Sequence, residues 1–128
     1  MKYRLLAVLM LVVKLAVAEE ATQNEEWSDT TLTEETIKKI QQAQFIYKKC
    51  VSDAMQKPEF AKLESRNATD AIIKLCEPTL AEMRKVYLDV QVPGSVADRH
   101  LKKLRIQVTR SVLQELMYIE AAKKAGQP

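Results

Sequence analysis

Two cysteines, one histidine and scattered carboxylates are the side chains here whose chemistry could matter, and their spacing limits what they can do. Cys50 and Cys76 are too far apart for the C-x-x-C arrangement that depresses a thiol pKa for redox work. Both fall on apolar helical stripes where two helices would meet, so a structural disulfide is expected. Its loop of about 26 residues would stabilise the fold by roughly 3–4 kcal/mol on a chain-entropy argument. His100 is the single histidine. Asp98, two residues away, cannot share its helix face. His100 therefore reads as a boundary residue near the preceding loop, against the alternative of a pH switch or general base.

Other chemistries lack their parts. The sequence has no HxxxH, HExxH or paired CxxC spacing, and a structural zinc site wants four ligands, so no metal is expected. A nucleophile needs an adjacent base, and one histidine leaves little to build with. Paired carboxylates could hydrolyse a sugar, but a small helical protein is a poor host for the cleft that reaction needs. Glycine-rich phosphate loops are absent and no cofactor is expected. The chain reads as a non-enzyme.

The segment that would carry the chain out of the cytoplasm is explicit. Lys2 and Arg4 precede the apolar run from Leu5 to Val13, and Ala16-Val17-Ala18 closes it. A basic start, a short apolar stretch and a small-x-small end describe a signal peptide over residues 1–18. The run is shorter than the ~20 apolar residues that span a bilayer. An exported chain, periplasmic if bacterial and otherwise secreted, also permits Cys50 and Cys76 to oxidise. The remaining 110 residues suit one domain, with too few cysteines for a disulfide scaffold.

Charge divides that remainder in two. Removing Lys2, Arg4 and Lys14 from the 20 basic residues leaves 17 against 17 acidic ones, a neutral chain. Residues 19–37 hold seven acidic residues and no Lys or Arg, so the rest carries a surplus of seven positive charges. Residues 19–31 read as a polar, acidic arm that can fold back on the basic body or leave it free for an anionic partner. Trp27, the sole tryptophan, sits in that arm. It would dock the arm on its own domain or anchor a partner. Nucleic acid is a poor fit to an exported chain with this little aromatic content.

Residues 32–128 read as an all-α domain. Glycines and prolines sit almost wholly at element boundaries, and no stretch alternates as a strand does. The spacing predicts a small up-and-down bundle of three long helices, the middle one interrupted at Pro78. The first runs from a Thr33 cap to about Gln56, with Pro58 ending its pattern and Phe45 as an apolar outlier on its polar side. Asn67 or Thr69 would cap the second, whose stripe is Ile72, Leu75, Cys76, Leu80, Met83, Val86, Tyr87 and Val90. Asn67-Ala68-Thr69 also fits a glycosylation acceptor. The third runs from about Ser95 to Ala125, with Ser95 and Asp98 as a capping pair. Leu101, Leu104, Val108, Val112, Leu116 and Ile119 form its core stripe.

That last helix is apolar on a second side. Ile106, Leu113 and Met117 fall among Arg99, Lys102, Lys103 and Arg110. Such a face is solvated, covered by the acidic arm, or made for a partner, a second copy or a membrane surface. The expected function is accordingly an exported, non-catalytic protein-interaction module of the cell envelope or periplasm. The alternative is a carrier of a small apolar ligand between helices, with Met55, Met83, Met117, Tyr87 and Tyr118 as candidate lining. In outline, a small exported helical protein with one disulfide also resembles the acid-stress periplasmic chaperones.

Overall fold

The computed structural model describes residues 32–126. The expected signal peptide, the acidic arm and Trp27 lie outside them. The described part is all-α. It forms five helices, α1 (Glu34–Met55), α2 (Pro58–Ala61), α3 (Ser65–Leu75), α4 (Glu77–Asp89) and α5 (Gly94–Lys124), where the sequence suggested three.

Most boundaries have a local cause. Thr33 caps α1 as expected, its hydroxyl accepting from the Thr36 N–H at 3.1 Å. Glu34 and Glu35 occupy the first turn, where the helix dipole favours negative charge. Pro58 does not merely end a pattern. It opens α2 at a first-turn position, where its missing N–H would be unpaired anyway. The break between α3 and α4 falls at Cys76, two residues before Pro78, which sits in the first turn of α4. The Cys76 N–H still reaches the carbonyls of Ile72 and Ile73, both at 3.2 Å. Pro78 has no N–H to continue that series, so the ladder restarts after it.

The turn into α5 places a non-glycine residue in the left-handed region. Gln91 adopts φ of 64° and closes α4, with its N–H on the Leu88 carbonyl and the Val92 N–H on the Tyr87 carbonyl. This is a Schellman closure, and buried Val92 and Tyr87 supply its apolar contact. Pro93, with no side-chain cap, precedes α5, so Ser95 and Asp98 do not form the expected capping pair.

Cross-helix pairs give the directions. Ser65 meets Glu120, Glu77 meets Arg105 and Arg84 meets Asp98, so α3 and α4 together run antiparallel to α5. Cys50 meets Cys76 and Gln44 meets Tyr87, so the same two helices run antiparallel to α1. The α3–α4 pass thus lies between α1 and α5. Tyr47 of α1, with Ile72, Cys76 and Met83 of the middle pass, are the largest fully buried side chains. The Tyr47 hydroxyl is buried without a partner among the described residues, and burial raises its pKa against the opposing pull of Arg105.

The start of α3 depends on a residue 55 positions away. Glu64, its flanking residue, makes no side-chain cap, and neither Asn67 nor Thr69 takes that role. Thr69 is buried and donates instead to the Ser65 carbonyl at 2.7 Å. The Glu120 carboxylate accepts from both the Ser65 hydroxyl and the Ser65 N–H, supplying the cap from α5. Those two donors, with Lys124, hold the Glu120 pKa down at about 2, below the usual 4.5. A depressed carboxylate pKa adds stability above 4.5 that is lost as pH falls through about 2. Glu120→Gln is therefore expected to lower the thermal midpoint at neutral pH, with the gap closing across that acidic range. Far-UV melts of both chains over pH check this. A gap of the same size at every pH would reject the charged cap.

Candidate functional site

The Sγ atoms of Cys50 and Cys76 stand at disulfide distance, joining α1 to the break between α3 and α4. Cys76 is fully enclosed, which suits a structural link better than exchange with an external thiol.

His100 is exposed, with its ring edge-on to Tyr87 at 6.1 Å between centroids. Asp98 turns away to Arg84 at 2.7 Å, and that hydrogen bond lowers the Asp98 pKa. Among the described residues, no group of three or more His, Cys, Asp or Glu side chains could hold a metal ion.

The six residues singled out on the last helix lie together on α5. At about 100° per residue, Arg99, Lys103, Ile106, Arg110, Leu113 and Met117 fall within an arc of about 80°. Ile106 is 41% exposed and Met117 52%, while Leu113 is half-buried. Arg99, Lys102, Lys103 and Arg110 are exposed and have no acidic partner among the described residues. Arg105, on the inner side, is instead tied to Glu77. That they share one arc follows from the geometry of a single helix.

Three concavities were not foreseen. A cleft of about 120 Å³ opens beneath α2, walled by Met55, Phe60, Leu63, Leu116 and Ile119, with the Ser65–Glu120 pair at its edge. An open groove of about 640 Å³ runs between α1 and α4 over Ile46, Val86 and Val90, with Glu35, Lys38, Lys39 and Asp89 on its rim. Another of about 330 Å³ separates α1 from α5 over Val51, Met55, Leu104 and Val108. All three depend on how neighbouring helices diverge, which no single helical pattern reports. The candidate lining of a carrier is dispersed. Met83 and Tyr87 are in the core, Met55 is half-buried at the cleft, and Met117 and Tyr118 face outward.

Among the described residues no helix is long and apolar enough to cross a membrane. Comparisons with protein-family models, with curated proteins and with solved structures find no match for this chain.

Proposed function

We propose that the chain is an exported, non-catalytic interaction module of the cell envelope, and that the outer face of α5 is its binding surface. The observation that carries this reading is the exposure of Ile106 and Met117 on a face whose four cations have no acidic partner among the described residues. Apolar area of that kind is stabilised when a partner covers it. The basic start and short apolar run of residues 1–18 support export. The cysteine pair at bonding distance is compatible with it. The interior offers less to a carried ligand. The cleft beneath α2 is well below the roughly 300–1,000 Å³ of ordinary ligand pockets, and the two larger grooves are open to solvent.

The double substitution Ile106→Gln and Met117→Gln tests the face. Both side chains are outside the core, so far-UV spectrum and thermal midpoint should hold. Cross-linking in the chain's own host should show its envelope association fall about tenfold, the scale expected for two partly covered apolar side chains. Unchanged association would remove α5 as the binding surface. A single lipid retained by both parent and variant in native mass spectra would point to the interior instead.

A further inference from the structure

Given that reading of α5, we infer that its outer face docks on an anionic lipid bilayer. Residues 99–114 contain five Lys or Arg and no Asp or Glu. Among the described residues, Arg105 alone of the five is committed elsewhere, to Glu77. The other four point out along a length of about 17 Å, from Arg99 to Arg110 at ~1.5 Å per residue.

Every carboxylate on α5 is removed from this face or already occupied. Asp98 is held by Arg84 at 2.7 Å. Glu120 is held by Ser65 and by Lys124 at 3.0 Å. Glu115 lies on the side that borders α1. At the far end Met117 borders Glu64 and Arg66, whose charges oppose each other. An anionic surface approaching α5 therefore meets cations first, then the protruding Ile106 and Met117, and no free carboxylate between Arg99 and Arg110.

The composition of the face favours lipid over a protein partner. Interface cores of protein complexes are enriched in aromatic residues as well as Met and Arg, and are depleted of Lys. This face has two Lys and no aromatic side chain. From Arg99 to Arg110 its surface is also the convex side of one helix, which meets a plane along its length, while a groove of about 310 Å³ opens beyond it beside Met117. Cations near an anionic leaflet and apolar side chains at the headgroup boundary are the two contributions that bind peripheral proteins to bilayers.

The test uses the chain in the form recovered from its host, with flotation on phosphatidylcholine vesicles and on mixed phosphatidylcholine–phosphatidylglycerol vesicles. The expected result is binding to the mixed vesicles alone, weakening as salt rises. Arg99→Gln, Lys103→Gln and Arg110→Gln together should lower it about a hundredfold, at about fivefold per cation. Arg99→Lys with Arg110→Lys should preserve it, because a charged plane does not read guanidinium geometry. Lys38→Gln with Lys48→Gln on α1 should change it little.

If the α1 pair loses as much as the α5 triple, the attraction belongs to the whole body and the inference fails. If the parent ignores both vesicle types while Ile106→Gln and Met117→Gln still abolish envelope association, the face binds protein. The lipid inference then falls and the proposed function stands. Vesicle binding that no α5 substitution alters would overturn both.

Discussion

Cys50→Ala with Cys76→Ala is expected to lower stability by about 3–4 kcal/mol. The Sγ atoms stand at disulfide distance and the enclosed loop has a sequence separation of 26. Opening the link releases that loop in the unfolded chain, whose gain in entropy sets the figure. The folded state loses packing as well, since Cys76 is fully buried among the core residues of α1, α3 and α4. For a domain of this size, 1 kcal/mol moves the thermal midpoint by about 4–8 °C, so a fall of at least ~12 °C is expected. Denaturant melts of parent and variant, with and without reductant, measure it. Reductant should bring the parent close to the variant and leave the variant unmoved. A parent that melts identically in both conditions, with thiols open to reagent, would show that the pair is not bonded.

The second large effect separates two neighbours on α3. Ile72→Ala should cost about 2–5 kcal/mol, because Ile72 is 0% exposed and its loss leaves a void in the centre of the core. Leu75→Ala should cost less than about 1 kcal/mol, because Leu75 is 45% exposed and surrenders little packing. Urea midpoints of the two variants, at a common slope, give the comparison. Equal losses would mean that Leu75 is covered in solution, by the acidic arm or by another molecule.

That pair also shows where sequence periodicity was insufficient. Leu75 belongs to the expected stripe of the middle helix, while Ile73 does not, yet Ile73 is buried and Leu75 faces water. A stripe is centred by assuming one covered side. The α3–α4 pass is covered on one side by α1 and on the other by α5, which rotates the buried arc of α3 toward Ser65, Thr69 and Ile73. Phe45 on α1 is the converse case. It is 57% exposed, as its place on the polar side requires, since among the described residues no second helix covers that side.

By itself the sequence determined what depends on one helix at a time. The all-α class follows from the lack of strand alternation and from glycines and prolines kept to boundaries. The Thr33 cap, the extent of the first and last long helices and the basic-apolar face of α5 follow from local hydrogen bonding and a period of about 3.6 residues. The pairing of Cys50 with Cys76 was legible for the same reason, because each lay on its own helix's inward side. The break of the middle pass, expected at Pro78, falls at Cys76, and Pro58 opens a separate short helix, both through proline's missing N–H. Contacts between helices set what depends on neighbours in space. They directed Asp98 to Arg84 instead of a cap at Ser95, and brought Glu120 across 55 residues to the start of α3. The physical reason is that a helix's inward face and its charge partners are set by the helices packed against it, and that packing is a property of the folded chain as a whole.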